Sequence, residues 1–386
     1  MRARELSVIV CLAVVCAAAV ACSDPAEDPA APAASLPEFD ADACQQAEAP
    51  TVRANAWTTG PTNNAIHIKG RHAYVVHSSN NTVGRLDLDR GEFTTDFVNV
   101  GNERNPWDLV VGESRIYITN YLSGSVTVAD RDTGAVLGEV PDANLVSPSG
   151  VAIGGGKVYV ASSGYEGPGY REGAVVVFTP LDEAPFLRRE AVWEVAGRNT
   201  LYLAYDGARE VLYAVSGGET VFGDDGSARV GSDGTVDAYD AAGRRAPLVL
   251  PVQDDDPVAG GPGRLVTEGR YAYLPSRTAP HLYKIDLDAW EVVRGTDDPI
   301  VAYLGDGNQL TSMALAGNGR AYVTAFNQDA LYVFDTECDA SIAGPFSVGK
   351  GSFLEGPIDI AYDSQAGKAY TLLSLSSALS EISDAR

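Results

Sequence analysis

The chain holds little of what metal, redox or nucleic-acid chemistry requires. Its 386 residues include four histidines, five cysteines and two methionines. One methionine is the initiator, which leaves Met313 and no thioether set for a copper site. The histidines are His67, His72, His77 and His281. No His-x-x-x-His, Cys-x-x-Cys or Cys-x-x-Cys-His occurs, which removes the common zinc, redox and c-type haem signatures. Positive charge is scarce, with 28 Lys and Arg against 52 Asp and Glu and a net charge of −24. Such a balance argues against nucleic acid or anionic lipid as partner, since both call for basic patches. There is no Gly-x-Ser-x-Gly elbow, so nucleophilic acyl transfer has no sequence support. The glycine triplet Gly154-Gly155-Gly156 precedes a strand pattern, not a helix, and is no phosphate cradle. Apart from Leu6 to Val20, no apolar run comes near the length of a spanning helix, and no stretch reads as a convincing helix of any length.

What the chain does have is a strand pattern that repeats. Arg115 to Val140 reads as Ile116–Thr119, a turn over Asn120–Gly124, an alternating run over Ser125–Ala129, a second turn over Asp130–Gly134, and a final strand to Val140. Tyr117 recurs as Tyr74, Tyr159, Tyr213, Tyr273, Tyr322 and Tyr370, spaced 42 to 60 residues apart. A turn residue follows each anchor after the next strand: Asp87, Asp130, Asp286, Asp335 and Ser383 at one fixed interval, and Thr179 and Asp240 later, behind glycine-rich insertions. Prolines Pro106, Pro148, Pro262 and Pro357 open short strands upstream, a place that suits a residue unable to donate to a ladder. A period of this length signals a repeat architecture. Seven repeats predict an all-β, seven-bladed β-propeller of four-stranded antiparallel blades. The widened repeats also fit six or eight. The last repeat has three strand runs, so Thr51 to Trp57 is the expected fourth strand, brought back to close the ring.

Tyr117-Ile118-Thr119-Asn120, Val126-Thr127-Val128 and Asp130-Arg131-Asp132-Thr133-Gly134 resemble the YVTN-type β-propeller repeat. The likeness covers nearly all of residues 60 to 386 and is clearest over 105 to 140 and 320 to 336. It implies a periplasmic or surface propeller and fixes no activity.

Residues 1–21 read as a signal peptide, with Arg2 and Arg4 before the apolar run. Ala19-Val20-Ala21-Cys22 resembles a bacterial lipobox with Cys22 as the lipidated residue, and cleavage at an ordinary small-x-small site is the alternative. Residues 22–47 are rich in proline, alanine and aspartate and read as a tether, and 48–386 as the propeller. The expected location is the bacterial cell envelope, lipid-anchored, on the periplasmic side or at the cell surface. Cys44 begins the body beside the closing strand and Cys338 lies in a turn of the sixth repeat. In an oxidising compartment these two are expected to pair.

Function must then come from the mouth of the channel and the loops around it. The residues two after each opening proline, or its equivalent, are Ala65, Asp108, Gly150, Tyr202, Arg264, Ser312 and Asp359. Asp108, Tyr202, Arg264, Ser312 and Asp359 are the candidates for a small polar ligand, the alternative being that they satisfy one another. The long insertions, 163–172 and 217–234, fall at this same end, as do Trp107, Tyr121, Tyr165, Tyr170, Arg171, Arg277 and Phe326, candidates for a peptide or glycan surface. Three histidines share the first repeat without a reason to converge: His67 on the inner strand, His72 in a turn and His77 at a strand end. Asp224-Asp225 and Asp254-Asp255-Asp256 offer oxygen ligands but lack calcium-loop spacing and read as solvated loops. The four tryptophans do not recur at one blade position, which excludes a quinoprotein-type docking motif. No metal and no cofactor is expected. The leading expectation is a non-catalytic monomer that binds a protein, glycan or small ligand through one loop-rich face. The alternative is a lactonase-like hydrolase with Asp108 and Asp359 as acid–base groups or ligands and Arg264 as oxyanion partner.

Overall fold

The computed structural model describes residues 48–383 apart from 168, 223–227, 252–260, 278–279, 296–299, 302–308, 318 and 352. Its strands form seven antiparallel sheets in sequence order, with one extra hairpin. Blade two shows the pattern at its plainest: Pro106–Val111 innermost, then Arg115–Asn120, Ser125–Asp130 and Val136–Pro141 outermost. Blade one runs from Asn63–Lys69 to Glu92–Asn99, and blade three from Pro148–Gly154 to Leu187–Arg198. In blade four, Thr200–Asp206, Val211–Ser216 and Gly234–Asp240 are followed by an outer strand in two pieces, Gly243–Arg244 and Leu248–Leu250. Blade five is split likewise, and its inner strand is only Val266–Glu268. Blade six runs from Leu310–Gly317 to Ala340–Ser347. In blade seven, Pro357–Asp363, Lys368–Leu373 and Ala378–Ser383 are completed by Thr51–Thr58, which pairs with Ala378–Ser383. The N-terminal segment therefore supplies the missing strand, as its position before the first repeat predicts.

The core is not one body but seven, each lying between neighbouring blades. Val76 and Val83 of blade one pack with Leu109 and Ile116 of blade two, Tyr117 of blade two with Val151 and Val160 of blade three, and so on round to Tyr370 and Leu379 of blade seven against Val75 and Leu86 of blade one. This is how about 340 residues avoid needing a single oversized core: each sheet buries its two faces against the next sheets. All seven anchor tyrosines are buried. Each sits third in its blade's second strand or close to it, where a large ring fills the widening gap between twisted sheets.

The recurrent aspartates hold turns. Asp87 Oδ1 accepts from the N–H groups of Asp89 and Arg90, Asp286 Oδ1 from those of Asp288 and Ala289, and Asp335 Oδ1 from those of Glu337 and Cys338. A short carboxylate bonding the backbone two and three residues on fixes the turn locally, which is why these aspartates keep their spacing from the tyrosines. Two readings need correction. His72 is the first residue of the strand His72–His77, not a turn residue. The insertion after Ser216 carries a small hairpin of its own, Glu219–Phe222 with Ala228–Ser232. Cys22, Cys44 and the acidic triplet Asp254–Asp256 lie outside the described residues, as do Asp224 and Asp225.

Candidate functional site

The inner strands share an irregularity that the sequence does not display. Strand pairing slips between Pro106 and Leu109, between Pro148 and Val151, between Leu310 and Met313, and between Pro357 and Asp359. Blades one and four slip at the matching place. A bulge turns a residue out of the ladder and leaves local backbone groups to find other partners. It falls at or beside the positions of Asp108, Gly150, Tyr202, Ser312 and Asp359. Hydroxyls fasten each blade to the inner strand of the next there: Thr119 donates to the carbonyl of Ser149 at 2.6 Å, Ser149 to that of Thr200 at 2.6 Å, and Thr311 to that of Pro357 at 2.7 Å.

In this ring the two aspartates do the same job in different blades. Asp108 Oδ1 accepts from the N–H of Leu109 at 2.9 Å, and its Oδ2 from the N–H of Val151, on the next blade, at 3.4 Å. Asp359 Oδ1 accepts from the N–H of Ile360 at 3.0 Å and from the Ser312 hydroxyl at 2.7 Å. Its Oδ2 accepts from the N–H of Ile66, again on the next blade, at 3.0 Å. Arg264 reaches both from blade five, with Nη2 at 3.3 Å from Asp108 Oδ1 and 3.9 Å from Asp359 Oδ2. Its guanidinium lies over the Tyr202 ring, 5.3 Å from the centroid. Five of the sequence candidates thus meet in one knot in which both carboxylates are fully engaged. Burial works against the Arg264 charge, but Asp108 and then Asp359 more than offset it and hold the guanidinium firmly protonated.

One more ionisable group lies within electrostatic range of this knot without a hydrogen bond to it. His67 lies two residues beyond Ala65 on the same inner strand and feels both aspartates and Arg264. Burial depresses its affinity for a proton, the aspartates oppose this and Arg264 adds to it, so the imidazole is neutral at neutral pH. The period of two along the strand from Ala65 is the sequence signal that places His67 on the same side as the ring positions. The other histidines stay apart. His77 Nε2 accepts from the N–H of Gly60 at 3.1 Å, and His281 packs edge-on against Tyr283. Among the described residues no group of three or more His, Cys, Asp or Glu is placed to hold a metal ion.

The connection into blade five delivers Arg264. Gly261 has a positive φ of 56° and rests on the Gly217 backbone so closely that a Cβ would lie 2.1 Å from the Gly217 carbonyl oxygen. Gly263 donates to the Pro275 carbonyl at 2.7 Å, and Arg277 N–H to that of Gly261 at 3.1 Å. Arg277 Nη1 in turn approaches the Tyr202 hydroxyl at 3.5 Å. Arg277 thus belongs to the channel mouth rather than to the outer loops.

The remaining loop-face candidates fall into pairs. Trp107 and Tyr121 stack with centroids 5.1 Å apart. Tyr165 and Tyr170 form an isolated bridge with rings 5.1 Å apart, and Arg171 pairs with Glu166 at 3.3 Å. Phe326 is a correction: it is 4% exposed, starts the short 3-10 turn Phe326–Gln328, and presses on Gly356, where a Cβ would lie 2.6 Å from the ring. Ring burial under that tight loop outweighs surface display. The same end exposes apolar side chains not singled out from sequence, Leu122 at 48%, Phe353 at 59% and Leu375 at 40%.

No protein-family model matches this sequence, and no curated protein matches it either. Solved structures do resemble its fold. A streptogramin B lyase superposes with a TM-score of 0.62 over 87% of this chain and 98% of its own, at 10% identity. A chain of the mitotic checkpoint complex gives 0.63 over 94% and 98%, at 11% identity, and a chain of Kuenenia stuttgartiensis hydrazine synthase gives 0.61 over 84% and 96%, at 16% identity. At these identities the likeness extends to the propeller alone.

Proposed function

We propose that this chain is a non-catalytic binding propeller of the cell envelope, akin to YVTN-repeat proteins, that takes its partner on the loop-rich face around the channel mouth. One observation carries the reading. The channel carboxylates that catalysis would need are spent on backbone amides, Ser312 and Arg264, whereas the loop face keeps Leu122, Phe353 and Leu375 in solvent. Leu122 adjoins the stacked pair Trp107–Tyr121, and exposed apolar and aromatic side chains are the usual make-up of a contact surface. A fold neighbour that is part of the mitotic checkpoint complex lends support by example only.

A lipid on Cys22 and the tether over 22–47 belong to the same reading, and they would hold the ring clear of a membrane. A Cys44–Cys338 bond in an oxidising compartment would fix the ring to that tether. The second reading, a lactonase-like hydrolase, draws on His67 beside Asp108 and Asp359.

The deciding experiment displays the mature protein to envelope extracts and to a glycan array, beside a variant carrying Leu122→Ser, Phe353→Ser and Leu375→Ser. Specific capture by the native protein, lost in the variant at unchanged melting temperature, is the expected result. Retention of all binding by the variant sinks the surface, and hydrolysis of lactones abolished by Asp359→Asn would replace this reading with the enzymatic one. Cys22→Ser is expected to move the protein from the membrane to the soluble fraction.

A further inference from the structure

We infer that the channel mouth between blades four and five is a binding site for a small oxyanion, a carboxylate or phosphate group, gripped by Arg277 with the Tyr202 hydroxyl beside it. The inference rests on the binding reading above and names the ligand chemistry of one part of the same face.

Arg277 combines a place beside Tyr202 at the channel mouth with the lack of a carboxylate partner among the described residues. Most arginines and lysines of this acidic chain lie within 4.0 Å of a carboxylate, including Arg104 with Glu139, Arg171 with Glu166 and Arg198 with Glu219 on the same face. For Arg277 no carboxylate among the described residues lies that close, and its side-chain contact is the Tyr202 hydroxyl, at a long 3.5 Å. A guanidinium presents five donors in a rigid fork that matches an oxyanion, and one neutral oxygen leaves most of them unused.

The placement is built rather than incidental. The Gly261–Gly217 contact, the Gly263 bond to Pro275 and the Arg277 bond to Gly261 fold the blade-five connection back against blade four. That fold puts two guanidiniums on one phenol, Arg264 over its ring and Arg277 at its hydroxyl. Two cations around one tyrosine repel each other. Asp108 and Asp359 together more than neutralise Arg264, whereas among the described residues no carboxylate lies within 4.0 Å of Arg277. Arg264 contacts both aspartates and the Tyr202 ring, and so offsets part of their charge beside that phenol. The chemistry left open is that of a single negative group with two or three acceptor oxygens.

The test titrates the intact mature protein with inorganic phosphate and, separately, with acetate, by calorimetry at constant ionic strength. Saturable binding of at least one probe by about 10 mM is expected, the range that one charge-assisted fork reaches. Acetate alone binding marks a carboxylate ligand, phosphate alone a phosphoryl ligand, and either supports the site. Arg277→Gln is expected to weaken binding about tenfold or more, Arg277→Lys less, and Arg171→Gln on the neighbouring loop not at all. Absence of binding by the native protein, or equal loss with Arg171→Gln, overturns the inference. Should Arg277→Gln fail to fold, Tyr202→Phe replaces it, with weakened binding expected and unchanged binding overturning the site. The triple serine variant of the loop face should bind the probe normally, so failure of the surface and failure of this site are told apart.

Discussion

Blade two and the corner between blades four and five are built from the same repeat and carry opposite lessons. Blade two has four full strands, a bulge of one extra residue after Pro106, and a turn in which Asp130 Oδ1 accepts from the N–H groups of Asp132 and Thr133. It leaves no segment outside the four-strand pattern. At the other corner, blade four splits its outer strand, inserts the hairpin Glu219–Phe222/Ala228–Ser232, and hands over through Gly261-Pro262-Gly263 to an inner strand of three residues. That corner supplies Tyr202, Arg264 and Arg277. Regularity makes the scaffold and departure from it makes the site, because a residue held in a ladder has its backbone groups committed, whereas insertions and bulges release groups that can reach the channel.

The contrast has measurable edges. The largest effect concerns what the two regions share. Tyr117→Ala in blade two and Tyr213→Ala in blade four should each cost about 3–5 kcal/mol in denaturant unfolding, the range for removing a buried aromatic ring. Both rings are buried, at 4% and 0% exposure. Near-equal losses would show that the irregular corner rests on the same scaffold, and a loss below about 1 kcal/mol at Tyr213 would break the comparison.

A smaller effect tests the link between the regions. Asp108→Ala leaves Arg264 inside the channel with Asp359 at 3.9 Å as its nearest acid. We expect a cost of roughly 3 kcal/mol, against less than about 0.5 kcal/mol for Asp89→Ala on an exposed turn. Equal costs would mean that the knot contributes nothing beyond a surface ion pair.

The smallest effect at neutral pH is an acid response. Burial depresses His77 in regular blade one and His281 in irregular blade five to about 4, from an ordinary 6.5. Between those values the unfolded chain binds protons that the folded one refuses, so stability falls as pH drops from 6.5 towards 4 and the loss levels off below. The slope should approach two protons, with His67 adding to it, and His77→Gln should remove about one. A flat profile over this window would contradict the buried, neutral state of both rings.

Much of the scaffold was legible in the sequence. Alternation, anchor tyrosines and turn aspartates act over ten residues or fewer, and strand pairing between consecutive elements follows from them. The return of Thr51–Thr58 to blade seven was legible too, since three strand runs at one end and a spare run at the other leave a single way to close the edge. Less of the candidate site could be read. Asp108, Tyr202, Arg264, Ser312 and Asp359 could be placed near one mouth, but not paired. Whether the carboxylates await a ligand or satisfy the fold depends on Arg264, which bonds Asp108 across 156 residues of chain. Phe326 looked like a surface aromatic because nothing within its own repeat covers it; the loop at Gly356 of the next blade does.

By itself, then, the sequence determined the repeat, the strand order, the buried tyrosine of each blade and the strand that closes the ring, because these rest on local dihedral preferences and short-range periodicity. Only the tertiary structure decided which polar groups meet. Ring closure brings groups from blades one, two, four, five, six and seven into contact with one another, and at that range Coulomb and hydrogen-bond partnerships are chosen by geometry to which no local pattern is coupled.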